Sequence, residues 1–315
     1  MVAKIFIDGE AGTTGLQIRE RLAGRRDLEV ISIDTDKRKD LAERQRLLNA
    51  ADVAILCLPD DAAKESVSLI TSGTTRVIDA STAFRIAPDW TYGFAEMDKG
   101  QGDKIAKARF VANPGCWPQG LIANVRPLIA AGLLPADFMI TYNGISGYTG
   151  GGKAMIADYE GGGPVPEFMP YGLGFEHKHL PEMAAYTGLA HAPLFVPAVG
   201  NFAQGMMTFV PLQLGQLDTV PTGADLHAAI ADHFAAIENS FVSVAPLQHL
   251  GKGPALNPES LNNTNQLQLH VFANDARAQA VLVAVYDNLG KGASGAAVQN
   301  LNLMLGVDAA LGLAS

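Results

Sequence analysis

Through the first third of the chain, short apolar runs alternate with stretches whose apolar residues recur at helical spacing. Residues 3–7, 28–33, 53–58 and 76–78 read as strands, and 16–23, 39–50 and 61–70 as helices. Strand and helix in alternation predict βαβ units around a parallel sheet. Asp60 and Asp61 place acid at the start of the third helix, where the dipole favours it. Residues 109–112 form another short strand, broken by Pro114-Gly115. A helix is expected over 118–134, with Leu121, Ile122, Val125, Leu128 and Ile129 at helical spacing and Pro127 as a kink.

From about Asp137 the pattern changes. Residues 138–142, 206–214 and 241–245 read as strands, and 267–272 with 280–285 as a hairpin around Asn274-Asp275. One helix is expected among them, over 224–237. Runs of strands with few crossovers predict an antiparallel or mixed sheet, hence a second domain of α+β type. Residues 144–152 and 160–174 are glycine-rich and read as loops. A final helix is expected over 295–311, with Val298, Leu301, Met304 and Leu305 on one face.

A chain of 315 residues suits two domains and buries a substantial core without staples. With 48% hydrophobic and 17% charged residues the composition is globular. The net charge of -9 excludes a basic surface for nonspecific nucleic-acid binding, so any anionic ligand must be held by local positive groups. Two cysteines are too few for a disulfide framework and suit a reducing compartment. The N-terminal segment reaches Asp8 too early for a signal peptide, and no apolar run approaches a membrane span. A cytoplasmic protein with no membrane partner is expected.

The segment GEAGTTG, residues 9–15, follows the first strand and opens the first helix. Gly9, Gly12 and Gly15 let the backbone approach a pyrophosphate, and the N–H groups at Thr13 and Thr14 begin a helix whose positive end faces it. This context turns a weak motif into a candidate dinucleotide loop and predicts a Rossmann-like first domain. A glycine-rich turn without ligand is the less favoured reading. Asp34 near the end of the second strand suits a ribose hydroxyl, whereas Lys37, Arg38 and Lys39 suit a 2′-phosphate; the residues alone leave NAD and NADP open.

Cys116 stands in Asn113-Pro114-Gly115-Cys116-Trp117-Pro118, between a strand end and a helix start, where a thiol is shifted toward thiolate. Cys57 lies in an apolar run and reads as core. His177 and His179 stand in EHKHLPE, a polar cluster after a glycine-rich loop, and can exchange protons near neutrality or be plain solvated residues. Two histidines without a partnering cysteine or carboxylate set do not make a metal site, so no metal is expected. His191, His227, His233, His249 and His270 read as ordinary surface or core residues.

Together GEAGTTG (9–15), DASTAFR (79–85), NPGC (113–116), HKHLPE (177–182) and KGASGAAVQN (291–300) resemble the N-acetyl-γ-glutamyl-phosphate reductase family in its shorter form, over essentially the whole chain. The resemblance implies NADPH-dependent reduction of an acyl phosphate to a semialdehyde and inorganic phosphate, through a thioester on Cys116. It implies an acid/base role for His179, with His177 as the rival and a possible substrate contact. Gly9, Gly12, Thr13, Thr14, Gly15, Ser81 and Asn300 fall to the cofactor, and Arg85 and Asn113 to substrate and phosphate; a guanidinium suits phosphate through bidentate bonding. The domains expected are 1–117 for NADP, 118–287 for catalysis and oligomerisation, and 288–315 as a helix returning to the first. A homo-oligomer, dimer or tetramer, is expected. The rivals are an aspartate-semialdehyde dehydrogenase and a non-catalytic NADP sensor, which would have no use for Cys116 in a loop.

Overall fold

The computed structural model describes residues 2–247 and 256–314; His249 lies outside them. The chain divides into two compact units. The first holds residues 1–95, 100–115 and 293–314, and the second holds 96–99 and 116–292.

The first unit begins with β1 (Ala3–Asp8), α1 (Thr13–Leu22), β2 (Leu28–Ile31), α2 (Leu41–Ala50), β3 (Val53–Leu56), α3 (Asp60–Ser68) and β4 (Arg76–Asp79). It continues with β5 (Thr91–Tyr92), α4 (Gln101–Lys107) and β6 (Phe110–Ala112). The strands pair in the order β2-β1-β3-β4-β6-β5, all parallel. Val53, Ala54, Ile55 and Leu56 are all buried, as a central parallel strand covered on both faces requires. Asp40 caps α2 by accepting from the N–H groups of Ala42 and Glu43. The expected parallel sheet is present; β5 and α4 are additions the patterning did not show.

The second unit opens with α5 (Cys116–Ala130), β7 (Thr141–Gly147), α6 (Gly152–Glu160), β8 (Phe168–Pro170) and α7 (Leu180–Thr187). It continues with β9 (Leu194–Gly200), β10 (Met206–Gln213), α8 (Gly223–Ala235), β11 (Val242–Val244), β12 (Leu267–Asn274) and β13 (Gln279–Tyr286). These strands form a mixed seven-stranded sheet, β11-β12-β13-β10-β7-β9-β8. The predicted hairpin is β12–β13, turning through Asp275–Arg277 and Ala278, which has φ 49°. A capping box between Thr222 and Asp225 starts α8.

The sequence reading fails most at 138–152. Residues 138–140 are outside the strand, and 144–147, expected in a loop, are its second half. Gly144 explains this: a β-carbon there would lie 2.5 Å from the Met207 carbonyl oxygen and 3.0 Å from the Trp117 ring. Glycine is the residue that lets β10 and the ring approach so closely, so tertiary pairing overrides the local turn signal. Helix α6 lies between the two expected loops and β8 lies inside the second; neither these nor α7 and β9 were foreseen.

Beyond β13 a π-helical turn, Gly290–Ser294, leads into α9 (Gly295–Leu305). Within the first unit Val298, Leu301 and Met304 of α9 join Ile5, Ile7 and Ile18 in one core cluster. The expected helix to 311 stops at 305 because Gly306 turns left-handed, φ 70°, and its N–H bonds the Leu303 carbonyl.

Candidate active site

In the first unit, the turn between β1 and α1 is built by its glycines. Gly9 has φ 90°, and a β-carbon on it would lie 2.3 Å from the Cys57 carbonyl oxygen. A β-carbon on Gly15 would lie 2.6 Å from the Gly9 oxygen. The Gly12 N–H closes the turn on Gly9 at 2.9 Å. Helix α1 starts at Thr13 with no side-chain cap and no acid in its first turn, which leaves its N-terminal N–H groups to an anion.

Beside this turn lies a cavity of about 480 Å³ lined by Gly9, Glu10, Arg38, Lys39, Arg44 and Leu58, among others. Arg38 and Lys39 line it; Asp34 does not, its exposed carboxylate lying 3.4 Å from Lys37. Glu10, which the sequence reading passed over, is buried and holds Arg19 at 2.6 Å and Arg38 at 3.5 Å. Arg44 is buried against Asp8 at 3.1 Å and Glu65 at 2.7 Å. Burial by itself depresses its guanidinium, but the bonds and charges of Glu65 and Asp8 outweigh that and the net direction is up.

Ser81 donates to the Asp79 carboxylate at 2.6 Å and receives the Ala83 N–H at 3.1 Å. Arg85 is buried, and its guanidinium bonds the main-chain oxygens of Asn113 and Ala80, each at 3.1 Å. Asn113 donates to the Ala293 oxygen and accepts from the Asn300 amide, each at 3.0 Å. Asn113 and Asn300 are therefore a buried amide bracket, 1% and 0% exposed. Gly93 makes room for it, since a β-carbon there would meet the Asn300 amide nitrogen at 2.4 Å. Cys57, half-buried just past β3, packs against the core cluster; burial first, then the charges of Asp79 and Asp8, push its thiol up to about 12, which makes it inert.

In the second unit, Cys116 is the first residue of α5 and is half-buried. The Tyr286 hydroxyl donates to the Cys116 carbonyl oxygen at 2.7 Å, and Tyr142 does the same for Trp117. Gly120 permits both, because a β-carbon there would lie 2.9 Å and 3.0 Å from the two hydroxyls. The Trp117 indole donates to the Tyr171 hydroxyl at 3.0 Å. Burial raises the Tyr171 phenol, and the charge of Cys116 adds to this against the Trp117 bond. Tyr171 is thus held by Trp117, the residue after Cys116, and its ring is 5.8 Å from that of His177.

His177 is half-buried, edge-on to Phe195 at 5.0 Å, and its ring is 4.7 Å from that of His179. Burial, then the Lys178 charge, push the His177 imidazole down to about 4, so it is neutral at physiological pH. Its Nδ1 faces the His179 N–H at 3.2 Å, which places the ring proton on Nε2. His179, 6% exposed, stands at the N-cap of α7. One unit therefore brings Cys116, Tyr171, His177 and His179 into one neighbourhood; the tyrosine carried no motif and was not foreseen. Among the described residues no cluster of His, Cys, Asp and Glu is arranged to hold a metal ion, and no helix is long and apolar enough to cross a membrane.

Comparison with known proteins agrees with this division. Residues 4–105 match the family described as semialdehyde dehydrogenase, NAD binding domain, and 116–288 its dimerisation domain. The N-acetyl-gamma-glutamyl-phosphate reductase of Mesorhizobium japonicum is 68% identical over 308 residues, 98% of this chain and 100% of that protein. N-acetyl-gamma-glutamyl-phosphate reductase 2 of a Nostoc species is 55% identical, covering 98% of this chain and 99% of that protein. Among solved structures, aspartate semialdehyde dehydrogenase II of Vibrio cholerae, complexed with ASA, superposes with TM-score 0.71 over 97% of this chain and 98% of that one. At 15% identity it shares the fold alone. By full-length identity and by both of its domains, the chain belongs to the semialdehyde dehydrogenase family, among the N-acetyl-γ-glutamyl-phosphate reductases.

Proposed function

We propose that this enzyme reduces N-acetyl-L-glutamyl 5-phosphate with NADPH to N-acetyl-L-glutamate 5-semialdehyde and phosphate, through a thioester on Cys116, in the cytoplasm and as a dimer or tetramer. The observation that carries the chemistry is a thiol at the first residue of α5, half-buried, in one unit with the two histidines.

The first unit fits the dinucleotide. Its glycine turn is a cradle that β-carbons would fill, and α1 offers uncapped N–H groups to the pyrophosphate. Gly9, Gly12, Thr13, Thr14 and Gly15 would hold it there, Arg38 and Lys39 the 2′-phosphate, with Ser81 and Asn300 on the same unit toward the nicotinamide. Arg38 and Lys39 in the cavity wall, with Asp34 outside it, favour NADP over NAD. When bound, the nicotinamide supplies the hydride.

The chain's own residues do the rest. The Cys116 thiolate attacks the acyl carbon, and phosphate leaves with the bonding pair, giving the thioester. After reduction the carbon–sulfur bond breaks, the aldehyde forms and the thiolate is restored. His179 holds and moves the proton at the carbonyl oxygen, and neutral His177 donates from Nε2 to substrate. N–H groups at the start of α5 stabilise the oxyanion. Arg85, a candidate phosphate ligand of the first unit, frames the Asn113 peptide. Residues 293–314, part of the first unit, serve the cofactor domain.

The test is phosphate-dependent reduction of NADP with N-acetylglutamate semialdehyde, beside aspartate semialdehyde, for wild type and Cys116→Ser. Activity with the first substrate alone, abolished in the variant, is expected. Activity only with aspartate semialdehyde would move the enzyme to the sister reaction, and near-normal turnover of the variant would sink the thioester route.

A further inference from the structure

The first turn of α5 is fastened from a segment that carries no part of the chemistry above. The main-chain oxygen of Lys291 accepts from the buried Gln119 amide at 2.8 Å. A β-carbon on Gly292 would lie 3.0 Å from the Cys116 β-carbon. The peptide from Lys291 to Gly292 therefore lies directly against the residue that bears the thiol. It opens the π-helical turn Gly290–Ser294, a geometry rare in proteins and concentrated at functional positions. Before the turn, Asp287 is tied down by the N–H groups of Asn263 and Leu289, each at 2.8 Å, and its carbonyl by the Gly292 N–H at 2.8 Å.

The side chain of Lys291 points the other way energetically. It is 1% exposed, with its ammonium 2.6 Å from the Glu96 carboxylate, itself 2% exposed. Glu96 also receives the Phe241 N–H at 3.2 Å, and the ammonium stands 5.5 Å from the Phe241 ring centroid. A buried ion pair holds a fold together no better than an apolar pair of equal volume, since desolvation offsets the attraction. Its distinctive property is direction: two charges tolerate little displacement. Here the directed pair sits on the very residue whose carbonyl holds the Cys116 turn.

We propose that Lys291 and Glu96 are positioning residues for Cys116: their ion pair sets the π-helical turn, whose Lys291 carbonyl and Gly292 backbone set the first turn of α5 and the direction of the thiol. The proposal rests on Cys116 as nucleophile. Neither charged group contacts substrate; both act through main chain.

The experiment uses the full chain carrying Lys291→Met with Glu96→Leu, which removes both charges and strands neither. The readouts are melting temperature, the rate of Cys116 alkylation by iodoacetamide, and kcat and KM. A folded double variant with NADP KM within about twofold, and with kcat and alkylation both slowed about 10–100-fold, is expected, because small misplacement of a reacting group costs about that much. Lys291→Arg, which keeps a charge pair, should recover much of the loss. A folded double variant with kcat and alkylation within twofold of wild type would overturn the proposal. Should the double variant not fold, Gln119→Met severs the bond to the Lys291 carbonyl and carries the same two outcomes. Cys116→Ser is run alongside: full turnover there defeats the nucleophile assignment itself, whereas alkylation of the charge-pair variant reports the positioning separately.

Discussion

Asp79 ends β4 with a carboxylate that is 0% exposed and whose Oδ1 has no hydrogen-bond partner, although Ser81 donates to Oδ2. Burial pushes it up to about 6, against the bonds from Ser81 and the charge of Arg85. The folded chain thus holds a proton there at pH values where the unfolded chain has lost it. Its ionisation weakens the fold progressively as pH rises from about 4 to about 6, by roughly 3 kcal/mol in full, and the penalty stands above pH 6. Asp79→Asn should gain roughly 1–2 kcal/mol at pH 7.5, less than the full penalty because a charge-assisted bond to Ser81 weakens, and nothing near pH 4. Urea melts at the two pH values decide it; an equal difference at both would contradict the burial argument. At the histidines, the His177 ring should show no titration between pH 5.5 and 9 by NMR, because its depressed value lies below that window. His179→Asn should lower kcat by about 10²–10⁴-fold with little change in NADP KM. A His177 midpoint near 6.5, or a His179 effect confined to KM, would reverse the two roles.

At the scale of elements, the proposed preference for NADP is tested at the turn before α2. Arg38 and Lys39 stand just before α2 and line the cavity beside the glycine turn. The pair Arg38→Ser and Lys39→Ser should raise KM for NADP by about 10–100-fold and KM for NAD by less than about threefold, as loss of two phosphate contacts of about 1–2 kcal/mol each demands. Equal losses for both cofactors would place the 2′-phosphate elsewhere. The glycine turn, α1 and α2 were legible because their signals are local: a backbone that needs missing β-carbons and a periodic apolar face. The Asn113–Asn300 bracket was visible only as two polar residues 187 positions apart. In the structure the Asn300 amide donates to the Asn113 side-chain oxygen inside the first unit.

For the whole molecule, the matched description assigns residues 116–288 to dimerisation. Phe209 faces Val283, and Val283 faces His270, on strands β10, β13 and β12. His270 is 5% exposed with neither ring nitrogen bonded, and burial holds its imidazole low. Sedimentation of the full chain should give a dimer or tetramer; a monomer at micromolar concentration would count against an assembly role for this unit.

The sequence by itself determined what depends on neighbours along the chain. It set the alternation that makes a parallel sheet, the glycine turn, the β12–β13 hairpin, the return of an apolar helix near the C-terminus, and a thiol between a strand end and a helix start. Only the tertiary structure decided what depends on distant contacts. Residues 144–147 became a strand because β10 and β9 pair with them. Residues 96–99 joined the second unit because Glu96 meets Lys291 and Asp98 meets Arg126. Arg38 and Lys39, but not Asp34, came to line the cavity beside the glycine turn. Periodicity and turn chemistry act over a few residues, whereas register, burial and charge pairing are set by segments that sequence separation hides.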